Sequence, residues 1–168
     1  HQDNFDLYSL GKEASTGLQY QAKDGAIDLL IKELSNQPAV TSIYNTSGVF
    51  HPGQTALVEI SANQKSHISV TSMLARTNDA FVGGKNLHLP QKKGKIVTYL
   101  LRVYDAGAEI NTESCSHIPA PPCNSHLADT EGKEGFVHTH PGIQNIGNLD
   151  PLRDAFGVIG AKITIERK

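Results

Sequence analysis

The sequence predicts a mainly β protein: an antiparallel β-sandwich, with one short α-helix near the N-terminus. Three observations carry that prediction. From Val40 onward the apolar pattern has a period of two. Ala56, Val58 and Ile60 alternate with Leu57, Glu59 and Ser61, and residues 67–74, 96–103 and 159–166 alternate in the same way. That period places alternate side chains on opposite faces of a strand. Turn residues separate the runs: His51-Pro52-Gly53, Asn63-Gln64, Gly83-Gly84 and Lys93-Gly94. Strands punctuated in this way read as an antiparallel sandwich or barrel. Finally, a convincing helical period occurs in one segment only, where Ile27, Leu30, Ile31 and Leu34 fall on one face.

Taken in order, residues 1–10 carry Phe5, Leu7 and Tyr8 among polar residues and read as a short, imperfect strand leading into Gly11. Glu13 to Gly17 reads as a turn. Asp24 is the expected N-cap of the helix, and Asn36 and Pro38 end it. Residues 106–135 show little periodicity, as expected of a functional or stapled loop. That loop holds the two cysteines of the chain, Cys115 and Cys123, around Ser-His-Ile-Pro-Ala-Pro-Pro. The spacing excludes a CxxC metal knuckle. A disulfide is expected, since a Pro-rich loop without periodicity gains most from a cross-link, and it favours an oxidising compartment. Two unpaired thiols are the alternative.

The chain has 168 residues, enough for one domain with a hydrophobic core, and residues 1–168 are read as a single domain. A formal net charge of −2 gives no basic surplus for nucleic acid and no acidic tail. Trp is absent, so no aromatic platform for bases or sugars is advertised. No apolar run approaches the roughly 20 residues of a membrane span.

Two acidic loops organise the chemistry. The first reads Thr77-Asn78-Asp79-Ala80-Phe81-Val82-Gly83 and the second Val103-Tyr104-Asp105-Ala106-Gly107-Ala108-Glu109. Each sets carboxylates beside a small residue, which lets oxygens converge on a hard cation. Acids that simply form turns at strand ends are the competing explanation. A second constellation is Phe136-Val137-His138-Thr139-His140. In a strand, His138 and His140 share a face and suit copper, zinc or nickel, with His1, His117 or His126 as a completing ligand. A polar strand face beside the Pro141-Gly142 turn is the alternative. His1, if it is a free terminal residue, would chelate copper through its amine and ring; the preferred alternative is that the sequence merely starts there. Asp150-Pro151 and Asp154 either add a ligand or form a turn, and Asn45-Thr46-Ser47 is a glycosylation sequon. Ser, His and Asp are all present, but there is no nucleophile elbow, phosphate loop or His-Glu-x-x-His motif, so the chain is read as a non-enzyme and a hydrolase ranks third.

At the two loops the sequence resembles the spondin amino-terminal domain family. Asp79-Ala80-Phe81-Val82-Gly83 is similar to its Asp-aromatic-Phe-Val-Gly pattern, with Ala80 in place of the aromatic. Tyr104-Asp105-Ala106-Gly107-Ala108-Glu109 is similar to its aromatic-Asp-Ala-Gly-Thr-acid pattern. Residues 160–167 resemble its closing strand, and residues 11–18 the Gly-x-x-Ala-Ser-x-Gly-Leu opening of its bacterial branch. The resemblance implies a β-sandwich like the calcium- and lipid-binding domains of signalling proteins, with calcium at one end held by Asp79, Asp105 and Glu109. Glu109 replaces Asp, which lengthens that arm by one methylene. The resemblance also implies a secreted, periplasmic or cell-surface module with no established catalysis, which binds an extracellular protein or glycan. The family's full first strand before His1 is missing or cut here; local pairing of Phe5 to Leu10 is the expected way to cover the edge, followed by a preceding segment that has been cleaved, and then by a strand-exchanged homo-oligomer. The leading expectation is therefore a secreted calcium-binding adhesion module. The alternative is a copper or zinc protein using His138 and His140, with His1 as a further ligand.

Overall fold

A computed structural model describes residues 1–2, 5–46, 48–125 and 132–168. Ser47 of the sequon and His126 lie outside the described residues.

The N-terminal third forms two helices where the sequence predicts one. Helix α1 spans Thr16–Asp24 and helix α2 spans Asp28–Ser35. The Ser15 side chain accepts the Leu18 N–H and caps α1, so the expected turn around Glu13 to Gly17 supplies a helix start. Asp24 is the last residue of α1 and not an N-cap. The chain breaks after it because Gly25 adopts a left-handed conformation, φ 72°, and its N–H returns to the Gln21 carbonyl. The apolar face at Leu30 then belongs to α2, which begins without a side-chain cap. The two helices touch at Gly17, where a Cβ would lie 2.5 Å from the Leu30 Cα.

Five antiparallel strands follow: β1 (His67–Met73), β2 (Ala80–His88), β3 (Ile96–Asp105), β4 (His138–Thr139) and β5 (Ile159–Glu166). The alternating runs at 67–74, 96–103 and 159–166 correspond to β1, β3 and β5. The mainly β antiparallel class stands, and among the described residues the strands form one sheet. β3 is its axis. One edge of β3 pairs with β2, from Ala80↔Asp105 to Gly83↔Arg102. The other edge is shared: β5 covers Ile96 to Arg102, and β4 covers Tyr104 and Asp105.

Two sequence expectations fail here. Gly83-Gly84 is not a turn but lies inside β2. These glycines answer to packing: a Cβ on Gly83 would sit 2.8 Å from the Tyr8 hydroxyl, and one on Gly84 would sit 2.5 Å from Leu101 Cδ2. The alternating run at 56–60 is not a strand either. Period two specifies a strand only where a neighbour can take its backbone hydrogen bonds, and Leu57, Val58 and Ile60 are exposed with no ladder partner. Residues 5–10 are likewise irregular, although Leu7 and Tyr8 are buried. The N-terminal amine of His1 donates to the His67 carbonyl, and the His67 N–H donates to the His1 carbonyl, which extends the start of β1.

The sheet carries a core on each face. On one side Leu18, Ala22 and Leu30 of the helices meet Leu7, Tyr8, Phe81, Ala106 and Val137. On the other, Ala80, Val82, Leu101 and Val103 pack with Phe156 and Ile163. The alternation along β2 and β3 thus fills both sides, as in a sheet covered on both faces. Cys115 and Cys123 form the expected disulfide.

Asp150 caps a short helix, α3 (Pro151–Asp154), by accepting the Leu152 N–H at 2.8 Å. The buried Asp154 carboxylate accepts the Asp150 N–H and pairs with Arg153 and Arg76. Both residues therefore serve a helix turn rather than a ligand set. Hydrogen bonds from Arg153, which outweigh the cost of burial, together with the Asp150 N–H and Arg76, pull the Asp154 carboxyl from 3.8 to about 2.

A carboxyl depressed on folding contributes stability above its unfolded pKa and loses it as the pH falls through the folded one. The melting temperature is expected to drop between about pH 4 and about pH 2, and Asp154→Asn should flatten that limb. Parallel acid profiles for the two proteins would contradict the assignment. Replacing both cysteines by Ser should cost about 2–3 kcal/mol in denaturant unfolding, the loop-closure value for so short a loop. An unchanged midpoint would show that the loop is fixed by other contacts.

Candidate metal centre

The site is built where β3 ends. Register sets Ala80 of β2 beside Asp105 on one edge and His138 of β4 beside it on the other. Cross-strand partners share a sheet face, so Asp105 and His138 project together, and His140, two residues on, follows. Asp79 precedes β2 and receives the loop that leaves β3. Its carbonyl accepts the Ala106 N–H, while its Oδ2 accepts the N–H groups of Ala108 (2.6 Å) and Glu109 (3.1 Å).

Gly107 holds the loop against β4. Its φ is +65°, and a Cβ there would lie 2.3 Å from the Phe136 carbonyl oxygen. Its own carbonyl accepts the Gly135 N–H. This contact brings the segment at Glu134 to His138 alongside Asp105.

Asp79, Asp105 and Glu109 are all buried, as are Asn78 and Glu113. Glu113 is engaged elsewhere: its carboxylate accepts the N–H groups of Gln144 and Ile146 and anchors the loop after His140. Lys23 of α1 lies 3.2 Å from Glu109 Oε1. Asp79 Oδ1 is buried with no hydrogen-bond partner. Burial first, then the charges of Asp105 and Glu109, push the Asp79 carboxyl up to about 8 against its backbone hydrogen bonds. Burial also raises Asp105, although Asn111 and the Gly107 N–H favour its charged form. Buried like charges of this kind are costly unless a cation sits among them.

Among the described residues, the His, Cys, Asp and Glu side chains whose ligand atoms all lie within 4.8 Å of one another are Asp105, Glu134 and His138. Asp79 and Glu109 border this group. The sequence reading paired His138 with His140 and other histidines, not with the acidic loops, and it missed Glu134 and Asn111. Asn111 Nδ2 donates to Asp105 Oδ2 at 2.5 Å and lies 3.4 Å from Glu134 Oε1, joining the two carboxylates. The one available signal was Glu134 four residues before His138, across Gly135. That spacing has no fixed meaning outside a helix.

The two histidines are held differently. His138 Nδ1 donates to the Thr139 carbonyl at 3.0 Å, and Nε2 donates to Glu134 Oε2 at 2.5 Å and lies 3.7 Å from Asp105 Oδ1. Burial lowers its pKa, but the Thr139 and Glu134 hydrogen bonds and both carboxylates outweigh this and raise it. His140 is packed edge-to-face on Phe156, its side chain only 3% exposed. Its Nδ1 accepts the Gly142 N–H, so the proton rests on Nε2. That Nε2 is buried without a partner, 3.9 Å from Asp105 Oδ2. Burial, then the nearby His138, lower its pKa to about 4. His1 contacts Ser69 and His67 instead.

Gly107→Ala should destabilise the protein by about 2 kcal/mol or more, through left-handed strain and overpacking against Phe136. It should also separate Glu134 and His138 from Asp105. Denaturant unfolding checks the first effect and the histidine Nε2 chemical shift the second. A variant of native stability would refute the close contact.

No match was found among curated proteins. The family model described as Spondin_N matches residues 1–130, more than three quarters of the chain. The match includes both acidic loops, α1, α2, the disulfide and strands β1 to β3, whereas Glu134, His138 and His140 lie beyond it. Among the described residues no helix is long and apolar enough to cross a membrane. With the family match and the disulfide, the features point to an extracellular-type module: the chain belongs to the Spondin_N family.

Proposed function

We propose that this domain is a calcium-stabilised binding module of the extracellular space, with the cation held by Asp79, Asp105 and Glu109 at the end of the sheet. One observation carries the reading. Asp79 is fully buried with an oxygen that has no partner, beside two more buried carboxylates. Calcium takes six to eight oxygen ligands and tolerates irregular geometry. Three carboxylates supply the charge, and backbone carbonyls, the Asn78 region and water supply the remaining oxygens. Bound calcium offsets the mutual repulsion that raises the Asp79 carboxyl and fixes the β2 and β3 ends against each other. The role of the ion is therefore structural, and the surface it stiffens is the one that engages an extracellular protein or glycan. No catalytic step is needed.

Any ligand of the native state stabilises it by mass action, by about 2.7 kcal/mol at a free concentration one hundred times Kd. Chelator is expected to lower the melting temperature by several degrees, and added calcium to restore it. Asp79→Asn keeps the hydrogen-bond acceptor but removes the charge, and should abolish the calcium response. A melting curve that ignores both chelator and calcium would refute the proposal.

A further inference from the structure

We infer that the same end of the sheet holds a second metal site, for a divalent transition ion of the zinc class, with Asp105, Glu134 and His138 as ligands and His140 as donor to the ion's fourth ligand. The inference does not rest on the calcium reading, and two of its three ligands lie outside the residues matched to the family.

The donor set is one imidazole and two carboxylates. Imidazole is a poor partner for calcium and a good one for zinc, copper, nickel or iron. The surrounding hydrogen bonds select which atoms face the ion. The Thr139 carbonyl accepts the proton on His138 Nδ1, so Nε2, which shares its proton with Glu134, is the nitrogen whose proton an ion displaces to take the lone pair. Such an outer hydrogen bond to a backbone carbonyl is the usual support of a metal-bound histidine. Asn111 engages Asp105 Oδ2 and Glu134 Oε1. The other oxygens face His138 Nε2: Asp105 Oδ1, which also accepts the Gly107 N–H and keeps a second lone pair, at 3.7 Å, and Glu134 Oε2 at 2.5 Å. A tetrahedral zinc centre with bonds of about 2.0–2.1 Å needs ligand atoms roughly 3.3 Å apart. Small movements of the Glu134 and His138 side chains, which are partly exposed, reach that spacing around the buried Asp105.

His140 is the independent observation. Its side chain is more than nine-tenths buried, and Nε2 points at Asp105 with nothing to bond. Because the Gly142 N–H occupies Nδ1, Nε2 is a donor and not a free lone pair. His140 is thus unsuited to bind the ion directly, as the sequence pattern suggested it would. It is suited to donate to a water or anionic oxygen in the fourth position. Three protein ligands with one open position is the arrangement of an accessible zinc site rather than a closed structural one.

The test uses the full chain stripped by chelator, with zinc alone followed by calorimetry and cobalt(II) alone followed by visible absorption. One ion per chain is expected, with the absorption of low-coordinate cobalt. Glu134→Gln and His138→Gln, each checked for native circular dichroism, should weaken binding about tenfold or more. Asp79→Asn removes a neighbouring charge but no ligand, so it should keep one zinc per chain and the parent's cobalt spectrum while losing the calcium response, which separates this site from the calcium proposal. The surface pair His67 and His88, whose rings meet at 3.0 Å, is the rival site, and the double variant His67→Ala/His88→Ala should also bind as the parent does. His140→Phe should keep the stoichiometry but change the cobalt spectrum, since only the donor to the fourth ligand is lost. Binding that survives Glu134→Gln and His138→Gln, or that disappears with His67 and His88, would overturn the site. A cobalt spectrum unchanged in His140→Phe would overturn the role of His140.

Discussion

The structure depends on one buried carboxylate at the end of a central strand. Asp105 lies where β3 stops and both neighbours reach its level, with Ala80 on one side and His138 on the other. A carboxylate with no solvent exposure needs compensation for the water it has lost. Here the compensation is local and incomplete: the Gly107 N–H and the Asn111 amide supply one bond to each oxygen. Nearby, Asp79 receives two backbone N–H groups on one oxygen and none on the other. The folded chain therefore assembles negative charge that its own donors do not balance, with Lys23 at the rim.

Holding such a cluster together requires backbone rather than side-chain force. The ladder fixes β2 against β3, and the loop after β3 folds back on Asp79 through three hydrogen bonds. Gly107 then presses this loop onto residue 136 with a closeness that no side chain permits. Two apolar cores, one on each face of the sheet, absorb the strain of this arrangement by clamping β2 and β3 from both sides. The acidic loops are thus held by backbone contacts, which oppose the mutual repulsion of the carboxylates they bring together.

Asp105 is also the link between two kinds of chemistry. On the Asp79 and Glu109 side the donors are carboxylates alone, which suit a hard cation. On the Glu134 and His138 side an imidazole joins them, which suits a softer one. A shared carboxylate couples two ions electrostatically, so occupancy of one position changes the charge felt at the other. The residues of the first side lie inside the family match. The second side draws Glu134, His138 and His140 from the C-terminal segment beyond that match.

The sequence by itself determined the mainly β class, three of the strands, the disulfide, both acidic loops and the family, because each leaves a local trace: period two, a cysteine pair in a Pro-rich loop, carboxylates beside small residues. It also marked His138 and His140, since residues two apart in a strand share a face. Only the tertiary structure decided the rest. Period two at 56–60 names a strand but cannot supply a partner, and Gly83-Gly84 looks like a turn until Tyr8 and Leu101 fill the space above it. The helical period around Leu30 does not reveal that Gly25 splits the segment in two. Glu134 and Asn111 belong to the site through a close approach of two distant loops, which no spacing encodes. The difference between the two histidines is likewise tertiary: His138 meets acceptors on both ring nitrogens, at Thr139 and Glu134, whereas the Gly142 N–H on Nδ1 leaves His140 a proton on Nε2 with nothing to take it.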